Sequence, residues 1–199
     1  MIKNKKDLKF YIKCDEIARW NHKASVFEKI IRGDMWRYNV VLRKQEYNLN
    51  CRKGILKKIL KLYYEIKKRK LGYKLGWFIP PNVFGPGLCI VHVGPVIVNS
   101  AASFGSNCRI QAMVNIGASK GDVNAPHAGD FIYIGPGAKL FGKIELGSNI
   151  SIGANAVVNK TMTQNNVTLA GVPASVVSIK KSDISEIFDA VSYVQKMMY

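Results

Sequence analysis

The chain has 199 residues, 48% of them hydrophobic, and a net charge of +17 from 30 basic and 13 acidic side chains. That length supports one ordinary domain with an appendage, and that apolar content excludes a disordered chain. The charge is lopsided: residues 1–74 hold 22 basic and 7 acidic side chains, residues 75–199 hold 8 and 6, so a basic module adjoins a nearly neutral, glycine-rich body.

The first 76 residues read as helices. Leu8, Tyr11, Ile12 and Ile17 give one short amphipathic segment, and Val26, Ile30 and Ile31 a second. Ile55, Ile59, Leu60, Leu62, Tyr63 and Ile66 give a longer one across roughly 53–71, with Gly72 and Gly76 bracketing its end. The opening MIKNKKDLKFYIK has charges throughout and no apolar run of signal-peptide length. The longest apolar stretch, 88–98, is about half a membrane span and is interrupted by His92. The expected location is cytoplasmic. Cys14, Cys51, Cys89 and Cys108 form no CxxC pair and are expected as reduced thiols, with Cys89 and Cys108 buried.

The segment KLYYEIKKRK (61–70) is basic with interleaved aromatics. It admits a plain solvated helix face, attraction of residues 52–70 to an anionic surface such as the inner membrane leaflet or a phosphate-bearing substrate, or nucleic-acid binding. No nucleic-acid motif accompanies it, so membrane contact ranks above nucleic acid, and no nucleic-acid partner is expected.

From residue 98 aliphatic side chains recur every six positions: Val98, Phe104, Ile110 and Ile116, then Ile134, Leu140, Leu146, Ile152 and Val158. Small or aliphatic residues stand two places before each, and Gly or Asn follows at Gly135, Gly147, Gly153 and Asn159. The 18 residues from Ile116 to Ile134 keep the register arithmetically. A period of six suits neither an α-helix nor an alternating strand. It suits a coil of three short flat faces, with one strand and one corner per hexad and a continuous core inside. Tight corners favour Gly or Asn, which tolerate positive φ. The fold expected is mainly β: a three-faced parallel β-coil over 77–180 with a loop over 117–131, an α-helical module over 1–76, and a C-terminal helix within 181–199. That last helix is placed at about 184–197, capped by Asp183 with Glu186 and striped by Ile184, Ile187, Val191 and Val194.

His92 stands six residues before Val98, where the repeat calls for an aliphatic residue, and a break in pattern marks a candidate site. His127 and Asp130 lie in the interrupted stretch SKGDVNAPHAGD, and His22 in the helical module.

The stretches FGPGLCIVH (84–92), NCRIQAMVNIGAS (107–119), YIGPGAKLFGKIELGSNISIGANAVV (133–158) and AGVPA (170–174) resemble hexapeptide-repeat acyltransferases, particularly the serine acetyltransferase-like branch. The resemblance covers about half of the chain and implies that the coil is a left-handed parallel β-helix. It implies an acetyl-CoA-dependent O-acetyltransferase with His92 as catalytic base, taking the proton of an acceptor hydroxyl during direct attack on the thioester. It also implies a homotrimer with sites between subunits, and acetyl-CoA contacts at Ala118, Pro136, Ala154 and Lys160, with Lys180 and Lys181 as further candidates. No metal is expected, and a metal-dependent hydratase would need a third histidine beside His92 and His127. The serine enzymes carry an acidic residue fifteen places before the histidine, here Trp77, and an Asp directly before it, here Val91. These departures turn the reading toward a saccharide acceptor, as in short relatives associated with capsule or other surface polysaccharide. Trp77, His127 and Asp130 are then the expected acceptor-binding residues. Serine O-acetylation in cysteine biosynthesis is the alternative, and a non-catalytic scaffold a distant third.

Overall fold

The computed structural model describes residues 1–31, 33–179 and 188–198. Four helices precede the β-structure: α1 (Lys5–Trp20), α2 (Val26–Ile31), α3 (Gly33–Cys51) and α4 (Gly54–Leu75). Helix α3 buries a mixed face, with Tyr38, Val41 and Leu42 beside Asn39, Arg43, Gln45, Glu46 and Asn48. The stripes read for the other segments do not all face inward. No residue of α2 is buried. On α4 the buried residues are Lys68, Gly72 and Leu75, while Ile55, Ile59, Leu62 and Ile66 face solvent.

The body is a left-handed β-solenoid of about five coils with three faces. Face I stacks Trp77–Phe78, Val96–Val98, Val114–Gly117, Lys139–Phe141 and Val157–Val158. Face II stacks Ser103–Phe104, His127–Ala128 and Glu145–Leu146. Face III stacks Cys89–Ile90, Arg109–Ile110, Ile132–Ile134, Ile150–Ile152 and Val167–Gly171 in parallel, and the antiparallel strand Ala174–Ser178 folds back on the last. AGVPA is the turn of that hairpin.

The hexads were read correctly. All nine corner aliphatics and the residues two places before them are buried. Like residues stack in register, as in Ile90–Ile110–Ile134–Ile152–Leu169 on face III and Val98–Ile116–Leu140–Val158 on face I. The reason for the glycines differs from the expected one. Positive φ falls three residues after the aliphatic, at Gly137, Asn149 and Asn155. Gly135 is needed for close approach instead: a Cβ there would lie 2.7 Å from the Ile152 carbonyl oxygen of the next coil.

The interruption is smaller than the loop expected over 117–131. Ile116 to Ala128 spans twelve residues, where Val98 to Phe104 and Leu140 to Leu146 span six, so one extra hexad is inserted after face I. Ala125 and Pro126 are already buried again, and His127–Ala128 forms a strand.

Helix α5 (Ala190–Met198) buries Ala190 and Val194 against Cys14, Ile17, Ala18 and Cys89. The Ser192 amide donates to the Asp189 carboxylate (3.0 Å), so Asp189 caps this helix. The expected cap at Asp183 and Glu186, with Ile184 and Ile187, lies outside the described residues, as do Lys180 and Lys181.

Candidate active site

The helical module grips the backbone of the segment leading to His92. Arg43 is fully buried and donates to the Phe84 carbonyl (2.9 Å) and the Gly85 carbonyl (2.7 Å). Asp15 accepts from the amides of Gly87 (3.0 Å) and Leu88 (2.9 Å). Asn39 donates to the Leu88 carbonyl (3.2 Å), and Arg19 to the Ile90 carbonyl (2.9 Å). Every residue of that grip is separated from its partner by 41 or more positions, so no local pattern could have revealed it.

The gripping groups are themselves paired. Arg43 holds Asp15 through Nε–Oδ2 (2.8 Å) and Nη2–Oδ1 (3.1 Å), and reaches Glu46 Oε2 through Nη1 (3.0 Å). Burial by itself lowers the Arg43 pKa, but the two carboxylates outweigh it and hold the guanidinium charged. Burial pushes the Asp15 carboxyl above its usual range, and Arg43 is the main force opposing that rise.

His92 does not occupy an inward hexad slot. Ile90 pairs with Ile110 and takes that position itself. Eight residues then separate Ile90 from Val98 on the next face, where Ile110 to Ile116 takes six. Two extra residues widen this corner between faces III and I, and His92 is exposed on it. The corner rests on the end of α4: the Gly94 amide donates to the Leu75 carbonyl and the Val96 amide to the Gly76 carbonyl, both at 2.9 Å. Below it along the same edge lie Ala112, Pro136 and Ala154, linked by Gly137 N to Ala112 O (3.0 Å) and Asn155 N to Pro136 O (2.9 Å). Small residues at the stacked corners leave the backbone approachable beside His92.

The other expected site residues are dispersed. Trp77 is in the prism core at 3% exposure, its ring edge-on to Tyr38 with centroids 5.2 Å apart. It therefore offers no face to a sugar, and that expectation is corrected. His127 is a strand residue on face II, across the prism from the His92 corner. Its Nε2 lies 3.2 Å from the Ala101 carbonyl and its Nδ1 3.6 Å from Glu145. Asp130 sits at the corner between faces II and III, accepting from the Ser106 amide (2.6 Å), so it does not orient His92 of its own protomer. Ala118 and Lys160 follow face I, on the edge between faces I and II, away from Pro136 and Ala154. His22 is exposed and contacts Glu28 (2.9 Å).

No protein-family description matches the chain. It is 37% identical over 100 residues to serine acetyltransferase from Mycobacterium tuberculosis, covering 49% of this chain and 43% of that one. It is 30% identical over 112 residues to the Staphylococcus epidermidis serine acetyltransferase, 55% and 52% of the two chains. This chain thus matches about half the length of these relatives. Among solved structures, soybean serine acetyltransferase superposes with TM-score 0.71 at 22% identity, over 86% of this chain and 69% of that one. The Brucella abortus serine acetyltransferase in complex with coenzyme A gives 0.68 at 21%, over 88% and 68%. The β-helix and its helical module share the fold of these serine acetyltransferase structures. These relatives overturn the saccharide acceptor inferred from Trp77 and Val91, since each is a serine acetyltransferase and none acts by name on a glycan. The departure at position 77 was misread: Trp77 fills a core position of the prism and so says nothing about the acceptor.

Proposed function

We propose that the protein transfers acetyl from acetyl-CoA to the side-chain hydroxyl of serine, with His92 as general base. The observation that carries this reading is the exposed imidazole on a widened corner, at the head of an edge whose corners are Ala112, Pro136 and Ala154. The named relatives are serine acetyltransferases, and two of the solved neighbours hold coenzyme A.

In the proposed reaction His92 removes the hydroxyl proton as the serine oxygen bonds to the thioester carbonyl carbon. The tetrahedral intermediate then expels the thiolate by breaking the C–S bond, and the imidazolium returns the proton to sulfur. O-acetylserine and free coenzyme A result, and no enzyme nucleophile is consumed. Pro136 and Ala154 would let the pantetheine arm lie close to the backbone. Ala118 and Lys160, on the other edge of face I, would reach the same donor only from a neighbouring prism, as would His127 the acceptor. A trimer satisfies that requirement, and the exposed apolar pair Phe78 and Ile97 on face I supplies surface for it.

Thiol release from acetyl-CoA, measured with serine and without it, tests the proposal. Serine-dependent release is expected, together with O-acetylserine in the product. His92→Ala should lower kcat by roughly a hundredfold or more while the KM for acetyl-CoA stays near the parent value. Release that ignores serine would overturn the acceptor, and parental turnover in His92→Ala would overturn the mechanism.

A further inference from the structure

We propose that the outward face of α4 docks on an anionic lipid bilayer, holding the protein at a membrane surface. Ile55, Ile59, Leu62, Ile66 and Tyr73 form one stripe along this helix, at spacings of four, three, four and seven residues. They point away from the protein: Ile55 is 73% exposed and even Ile66, the least accessible, is 47%. Leu60, Tyr64, Lys68, Leu71 and Leu75 turn inward instead. At 22 residues the helix runs about 33 Å, long enough to lie along a surface. Among the described residues no helix is long and apolar enough to cross a membrane.

An apolar stripe of this spacing would also suit a second copy of α4, and the flanking charge decides between the two. Lys58, Lys61, Lys67, Arg69 and Lys70 border the stripe, all exposed. Lys74 is paired with Asp34 of α3. The only carboxylate on α4 is Glu65, which accepts from Gln45. Two copies would set cations against cations. An anionic bilayer complements both features, since acyl chains take the isoleucines and leucine while headgroup phosphates take the flanking cations. Nucleic acid would answer the cations and leave the apolar stripe in water.

A cleft beside the stripe supports the same occupant. Trp36, Arg37, Lys44, Tyr63 and Lys67 line a cavity of about 230 Å³ between α3 and α4. Its mix of aromatic rings and cations matches the depth of lipid headgroups, where Trp and Tyr prefer to sit. Tyr63 belongs to both the stripe's border and the cleft.

Flotation of the full chain with vesicles tests the proposal. Vesicles of equal parts phosphatidylglycerol and phosphatidylcholine should carry the protein, and phosphatidylcholine alone should bind it roughly a hundredfold more weakly. Molar salt should release it. The triple variant Ile59→Gln, Leu62→Gln, Ile66→Gln keeps every charge and alters only exposed positions, so its thermal midpoint should match the parent's. Its vesicle affinity should fall by roughly tenfold or more. Parental flotation of this variant would overturn the proposal, because charge alone would then explain the binding. So would an α4-dependent dimer of the parent in sedimentation that the triple variant abolishes, or a parent that binds duplex DNA and not the vesicles.

Discussion

Replacing Arg43 with methionine removes the hub of the grip on the segment before His92. The side chain is fully buried and makes two bonds to Asp15, two to Glu46 at 3.0 and 3.3 Å, and two to the Phe84 and Gly85 carbonyls. Methionine fills much of the volume, so the loss is electrostatic: two carboxylates stay buried without their cation. Breaking a buried pair in this way costs about 3–5 kcal/mol. At roughly 2–4 °C per kcal/mol for a chain of this size, the thermal midpoint should fall by about 6–20 °C. The pH dependence follows from Asp15. Burial raises its folded pKa even with Arg43 present, and without the guanidinium it rises further. A carboxyl whose folded pKa exceeds the unfolded one binds more protons when folded. Its contribution is full below the unfolded value of about 3.9 and is lost as pH climbs through the folded value. The deficit of Arg43→Met relative to the parent should therefore be largest near neutrality and shrink in mild acid. Differential scanning calorimetry of both proteins over about pH 5 to 8 measures this directly. A midpoint within about 2 °C of the parent, or a deficit that stays flat with pH, would refute the reasoning.

Arg19→Gln removes the charged donor to the Ile90 carbonyl, two residues before His92. It should lower kcat by about tenfold with little change in the KM for acetyl-CoA, and Arg19→Lys should restore part of the rate; equal losses in both parameters would argue against a positioning role. Gly135→Ala should destabilise by about 1–3 kcal/mol, because its Cβ would meet the next coil at 2.7 Å. Gly153→Ala, with nearest neighbours at 3.3 and 3.4 Å, should cost less, so denaturant titrations that rank them the other way would contradict the stacking argument. Burial pushes the Cys14 and Cys108 thiols up, which keeps them out of the reactive thiolate form. Iodoacetamide at neutral pH should modify Cys51, which is only half-buried, before either of them. Mass spectrometry of native and unfolded protein would detect the reverse order.

The six-residue period was legible because it is local: each hexad repeats the same strand, corner and inward side chain, so Val98 through Val158 announce the prism without knowledge of any partner. His92 was named from sequence as a candidate base, and the slot argument for it does not hold. Counting back from Val98 set it in the core, whereas pairing with Ile110 gives that place to Ile90 and puts His92 on an enlarged, exposed corner. Counting likewise hid the inserted hexad after Ile116, since an insertion of six leaves a six-residue period unchanged.

Sequence by itself thus determined the solenoid and its buried aliphatics, which depend on spacing along the chain. Only the tertiary structure decided which corner each residue occupies and how the helical module packs on the first coil. Trp77 looked like a ligand platform until pairing with Val96 placed it inside the prism. Helix α3 was not read from sequence: beside Tyr38, Val41 and Leu42 it buries Asn39, Arg43 and Gln45, whose partners include Asp15, Glu65 and the carbonyls of the first coil. Such a mixed face has a weak signature in sequence, since Glu46 is three residues away but Asp15 and the coil carbonyls that hold the buried Arg43 come from elsewhere in the fold.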